Sequence, residues 1–211
     1  AVPEIEAFLG EAVAAGCEGL MVKLVRERSS YEPAKRTYKW LKVKKDYIEH
    51  GGLGDSLDLV VIGANFGEGR RRGKYGAFLM AAFNADLGTF EACCLVGTGI
   101  SDAQLAEFKT RFDTLAVPTR PAEYEVERGG EVEVWFRAEA VWEVKAADVQ
   151  LSPVYNCGKG LLGSRGLGLR FPRLVRERPD KSPEQCSTSR MLVELYRAQA
   201  AVPELEEEDY Y

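Results

Sequence analysis

The chain has 211 residues, 45% of them apolar and 29% charged, which is an ordinary globular composition and not that of a disordered or fibrous protein. Its formal net charge is −5, but Glu204, Glu206, Glu207, Glu208 and Asp209 in the closing stretch PELEEEDYY carry five negative charges, so the body ahead of that stretch is neutral. No apolar run approaches the roughly 18 to 20 residues of a membrane-spanning helix, and a membrane role is not expected.

Taken in order, Pro3–Ala15 carries Ile5, Phe8, Leu9 and Val13 at helical spacing. The stretch CEGLMVKLV (Cys17–Val25) reads as an apolar strand with one carboxylate, Glu18, at its start and Lys23 near its end. A polar connection over 26–37 leads to YKWLKVKKDY (Tyr38–Tyr47), which alternates as a strand does. Leu41 and Val43 read as its core side, while Trp40, Lys42 and Lys44 share the other face. That face holds two ammonium groups roughly 7 Å apart on a rigid edge, a spacing suited to phosphate oxygens. Lysines also line the solvated face of ordinary edge strands, and spacing alone leaves both readings open.

Residues 46–56 are Gly-rich and read as a hinge between domains. Beyond it LDLVVIGANF (57–66), GAFLMAAFN (76–84) and FEACCLVGTG (90–99) alternate or run apolar as strands do. SDAQLAEFKTRFDTL then opens with Ser101 as an N-cap and continues with helical spacing. Strands resume at 130–137 and 140–152. Three strands, a helix and further strands is the order of an OB-fold, although a sandwich or another barrel fits the same pattern. The glycines of NCGKGLLGSRGLG lack the spacing of a phosphate-binding P-loop and read as a flexible connection. PEQCSTSRMLVELYRAQA reads as a terminal helix with Met191, Leu192, Leu195 and Tyr196 on one face, and residues 201–211 as a disordered acidic tail.

Basic residues cluster at 23–45, at Arg70, Arg71, Arg72 and Lys74, and from Arg165 to Arg178, three patches suited to a polyanion or simply to solvated loops. The five cysteines (Cys17, Cys93, Cys94, Cys157, Cys186) show no metal spacing and suggest a reducing compartment, with Cys17 and Cys93 read as small core residues. The single histidine, His50, sits in a Gly-rich stretch, so triad and histidine-zinc chemistries are not expected.

EGLMVK, WLKVKKDY, DLVVIGA and RFPRLVRERPDK occur here in the order seen in ATP-dependent DNA ligases, and the chain resembles the C-terminal part of a ligase of the DNA ligase I type over residues 1–200. The resemblance implies a mainly β fold: an α+β remnant of a nucleotidyltransferase domain at 1–48, then an OB-fold barrel at 49–200 with one inserted helix and a C-terminal helix. It implies ATP and Mg²⁺, a nicked duplex DNA substrate, upstream domains of the same chain as partners, a monomer, and a nuclear location. By the same resemblance Glu18 is the metal-binding carboxylate and Lys23 a nucleotide contact. Lys42 and Lys44 reach the α-phosphate, and Arg178, Asp180 and Lys181 form the R-x-D-K element that orients the pyrophosphate. Pro179 sits inside that element and fixes one φ angle. Arg170 and Phe171 act near the nick, the phenylalanine as a minor-groove wedge; without the resemblance Phe171 reads as a core strand residue. Arg70, Arg71, Arg72 and Lys74 are backbone-phosphate contacts. No K-x-D-G occurs, so the lysine that would accept AMP is missing and the chain, starting at Ala1, reads as an inactive piece of a larger enzyme. A non-catalytic OB module that binds nucleic acid and an RNA-ligase or capping relative are the other readings.

Overall fold

A 13-residue helix, α1 (Val2–Ala14), begins the chain. It is followed by two short strands, β1 (Gly19–Lys23) and β2 (Trp40–Lys44), paired antiparallel. The computed structural model describes residues 2–17, 19–26, 29–30, 32, 37–44 and 56–200. These belong to two compact units, one within Ala1–Gly52 and the other within Leu53–Ala201. Glu18, the 46–55 part of the expected hinge and the acidic tail lie outside the described residues.

The first unit has a thin core. Leu9 is buried, but Phe8 is 61% exposed and Leu41 is 52% exposed. Leu41 was expected on a core side. Leu41 pairs with Val22 on the two-stranded ribbon, and within this unit α1 packs mainly on β1, leaving β2 less covered. Cys17, also expected in a core, is exposed.

The second unit is built on three long strands, β3 (Leu57–Phe66), β4 (Tyr75–Asn84) and β5 (Thr89–Val96), an antiparallel meander. Their apolar alternation buries both faces. Leu57, Leu59 and Val61 point into one cluster, while Val60 and Ile62 point into another. Helix α2 (Asp102–Asp113) follows β5, started by a capping box in which Ser101 Oγ accepts from Gln104 N and Gln104 Oε1 accepts from Ser101 N. Its buried face, Leu105, Phe108 and Phe112, closes one end of the main core. There Phe108 and Phe78 each lie 4.8 Å from the fully buried Trp142 ring. Truncating a buried aromatic of this kind costs about 3–5 kcal/mol.

Short strands β6 (Ala116–Val117), β7 (Tyr124–Glu125) and β8 (Val134–Phe136) come next; β8 pairs with β3 and β6, and β7 lies parallel to β5. The strand expected over 130–137 is thus only three residues long. Just before it, Glu133 replaces a ladder bond with side chains: its N–H donates to Asn65 Oδ1 and its carboxylate accepts from Phe66 N. The run 140–152 splits at Ala146–Ala147 into β9 (Val141–Lys145) and β10 (Asp148–Ser152), where Ala147 N donates to Arg170 O.

Strands β11 (Gly166–Arg170) and β12 (Arg173–Glu177) finish the barrel. β11 pairs with β10 and packs beside β5, and β12 pairs with β9, which pairs with β3. The sheet runs β12-β9-β3-β4-β5, and its ends meet where Leu174 N on β12 donates to Thr98 O just after β5, which fits the Greek-key connectivity of an OB-fold. Of the glycines read as a flexible connection, Gly158, Gly166 and Gly168 serve close packing, a Cβ on Gly166 lying 2.3 Å from Asn156 Cα, whereas Gly160 and Gly163 have open space around them. At the closure, Gly99 has φ +83 and a Cβ there would meet Leu174 O at 2.3 Å, so only glycine fits. Helix α3 (Ser189–Ala200) ends the described chain. Leu192 is buried and Leu195 and Tyr196 pack on the main core as expected, while Met191 is 45% exposed and Val193 is buried in its place.

Candidate functional site

On the ribbon of the first unit, Lys23 pairs with Trp40 and Met21 with Lys42. Directly paired antiparallel residues share a face, so Lys23, Trp40 and Lys42 stand together, with position 44 next along the same side. Lys23 Nζ lies 4.8 Å above the centre of the Trp40 ring, a cation–π contact that steadies the ammonium without neutralising it. Lys42 is exposed. This face can hold phosphate oxygens against fixed positive charge. A magnesium ion needs only one or two protein carboxylates beside the phosphates, so a single acid such as Glu18 fits its donor chemistry; among the described residues no group of three or more metal-ligating side chains occurs.

In the second unit the charges gather on β3, β9 and the segment after β12. Asp58 on β3 and Glu143 on β9 are register partners. Arg178 Nη1 donates to both oxygens of Asp58, at 3.0 and 2.9 Å, and Lys181 Nζ donates to Asp58 Oδ2 at 2.6 Å. The other edge of the guanidinium donates to Asp180, Nε to Oδ1 at 2.9 Å and Nη2 to Oδ2 at 2.7 Å. The expected R-x-D-K residues are thus brought together, around a carboxylate not singled out from sequence. Arg178 holds the Asp180 carboxyl down at about 2, and Asp180 in turn raises the Arg178 guanidinium further above its ordinary value. Glu143 accepts from Ser56 Oγ at 2.7 Å and Arg176 Nε at 2.6 Å, and these two hydrogen bonds hold it below the usual carboxylate range. The Asp58 and Glu143 side chains are only 12% and 13% exposed.

Phe171 lies between β11 and β12 with φ 51, in the left-handed region where a non-glycine residue is strained. Its side chain is 47% exposed, and Arg170 Cζ sits 5.0 Å from its ring centre. It is not a core residue. The turn Gly69–Arg71 divides its basic residues. Arg71 turns inward and donates to Gly76 O at 3.1 Å and Gly97 O at 2.7 Å, stapling β4 to the end of β5. Lys74 Nζ donates to Asp102 O at 3.2 Å. Arg70 and Arg72 remain exposed.

The family model described as "ATP dependent DNA ligase C terminal region" matches residues 71–181, and that described as "ATP dependent DNA ligase domain" matches residues 1–44. DNA ligase 1 of Dictyostelium discoideum is 45% identical over 199 residues, covering 94% of this chain and 16% of that protein. DNA ligase 1 of Arabidopsis thaliana is 45% identical over 199 residues, 94% of this chain and 25% of the relative; for Saccharomyces cerevisiae DNA ligase 1 the values are 45%, 198 residues, 93% and 26%. The chain belongs to the ATP-dependent DNA ligase family. It spans about a quarter or less of the length of these relatives.

Within this ligase chain, sequence reading missed Asp58 and Glu143. A signal was present. Each is a lone acid with apolar residues on both sides, in LDLVV and VWEVK, where an unpaired carboxylate would be costly to bury.

Proposed function

We propose that the full-length protein is an ATP-dependent DNA ligase that seals nicks in duplex DNA through enzyme–AMP and DNA–adenylate intermediates, and that this chain is its C-terminal part. On this reading, residues 1–48 are the end of the nucleotidyltransferase domain, and residues 49–200 are the OB domain ahead of the acidic tail. The observation that carries the proposal is that both matched blocks bear cations suited to phosphate. Lys23 and Lys42 share one strand face, while Arg178 and Lys181 are gathered on Asp58.

The chemistry asked of these residues is alignment and charge neutralisation. Lys42 and Lys44 bind the α-phosphate, which takes part in every transfer, and Lys23 contacts the nucleotide. Arg178, Asp180 and Lys181 orient the pyrophosphate as it leaves in the first step. Glu18 would hold Mg²⁺, which when bound would supply charge neutralisation on the phosphates. Phe171, held outward by its backbone, presses into the minor groove beside the nick, and Arg170, Arg70 and Arg72 contact phosphate; Arg71 and Lys74 shape the turn that presents them. The protein acts as a monomer on DNA in the nucleus.

The test is joining of a 5′-phosphorylated nick by the full-length protein with ATP and Mg²⁺. Ligated product accompanied by a covalent enzyme–AMP species is expected. Binding to the nick with no product under any nucleotide would sink the reading and leave a non-catalytic nucleic-acid module.

A further inference from the structure

We propose that Asp58 is a positioning residue for enzyme adenylylation: its carboxylate sets Arg178 and Lys181 as one pair for the departing pyrophosphate. This rests on the reading of R-x-D-K given above. Asp58 Oδ2 accepts from both cations, Arg178 Nη1 at 2.9 Å and Lys181 Nζ at 2.6 Å, although they are 120 and 123 residues away in the chain. The root of the carboxylate is fixed. Asp58 N donates to Ser187 Oγ at 3.0 Å, and Ser187 N donates to Asp58 O at 2.7 Å. All of these groups lie in one unit, Leu53–Ala201, so Asp58 travels wherever the two cations travel.

Arginine and lysine side chains lose much rotamer freedom when fixed, and here that freedom is already restricted before any phosphate arrives. Neither cation is used up. A guanidinium has five N–H donors and an ammonium three, so each can still reach a phosphate oxygen while Asp58 holds it. In adenylylation the lysine amine forms a bond to the α-phosphorus and loses its proton. The bond from that phosphorus to the bridging oxygen breaks, and the electron pair leaves on pyrophosphate. Charge grows on the leaving group as that bond breaks, when a pair already in place helps most. No pyrophosphate is released in sealing, so Asp58 has no task there.

The experiment compares Asp58→Asn and Lys181→Ala in the full-length ligase, measuring self-adenylylation against ATP concentration and joining of a pre-adenylylated nick. Asp58→Asn is expected to lower the adenylylation rate at saturating ATP tenfold or more with little change in the ATP KM. Joining should stay within about threefold of wild type, and Asp58→Glu should recover part of the loss. Wild-type adenylylation by Asp58→Asn alongside a defective Lys181→Ala overturns the proposal while leaving the step assignment intact. Equal loss of both steps by Asp58→Asn also overturns it, since that marks a role in folding alone. If Lys181→Ala adenylylates normally, the reading of R-x-D-K falls and the proposal falls with it. Should the asparagine variant fail to fold, Asp58→Glu is judged by the same ratio of steps, and an unchanged ratio overturns the proposal.

Discussion

Asp58 and Glu143 face each other across β3 and β9, and between them they hold Arg176, Arg178 and Lys181 in place. Glu143 titrates below its ordinary value because Ser56 and Arg176 donate to its ionised form. A carboxyl whose folded pKa is depressed gives its full stabilisation above the unfolded value of about 4.3 and loses it as pH falls through the folded value. We therefore expect Glu143→Gln to cost about 1–2 kcal/mol of unfolding free energy at pH 7. That cost should shrink as pH falls below roughly 4. Denaturant titrations of both proteins from pH 7 to pH 2.5 measure it, and a pH-independent difference would refute the assignment. The cations of this cluster were legible because R-x-D-K keeps its spacing in one short stretch. Asp58 was not, because no sequence spacing links position 58 to 178; only the strand order β12-β9-β3 brings the segment after β12 back to β3.

Among the elements, β11 and β12 show most clearly how a strained residue serves a surface. Phe171 takes a left-handed conformation that costs an ordinary residue on the order of 1 kcal/mol, and it leaves nearly half of its side chain in solvent. Phe171→Gly relieves the strain but gives up the half of the residue that is buried, so the two effects oppose one another. The variant barrel is expected to melt within a few degrees of wild type, while the full-length enzyme carrying it should join nicks more slowly. A fall of several degrees in Tm would mean that Phe171 is a packing residue. The long strands β3, β4 and β5 and the capped helix α2 were readable from alternation and from Ser101, because their apolar pattern runs on for 8 to 12 residues. Strands β6, β7, β8, β11 and β12 are two to five residues long. At that length periodicity has little to register, and glycines that permit close backbone approach look like glycines that loosen a loop.

At the scale of the whole chain, a formal charge of −5 argues against a polyanion partner, yet the tail accounts for all of it and the body carries local basic patches. The chain should bind duplex DNA weakly, without sequence preference, and with steep salt dependence. Each phosphate contact removed lowers the log–log slope by about 0.9. Replacing Arg70 and Arg72 together by alanine should thus flatten the slope by up to about 1.8, whereas Arg71→Ala should act mainly on stability, because its side chain is spent on Gly76 and Gly97. An unchanged slope in the double variant removes this turn from the footprint.

On the proposed reading the two units carry cations with different tasks, and separating the reaction steps tests that division. Full-length Lys42→Ala and Lys181→Ala enzymes are each given ATP alone, and then nicked DNA that is already adenylylated. If Lys42 serves the α-phosphate, its loss should slow both self-adenylylation and joining, each lost contact costing several kcal/mol of transition-state stabilisation. If Lys181 serves only the leaving pyrophosphate, its loss should block self-adenylylation and leave joining largely intact. Joining by Lys181→Ala that collapses as completely as its self-adenylylation would contradict the division and make RERPDK a structural or DNA-binding segment.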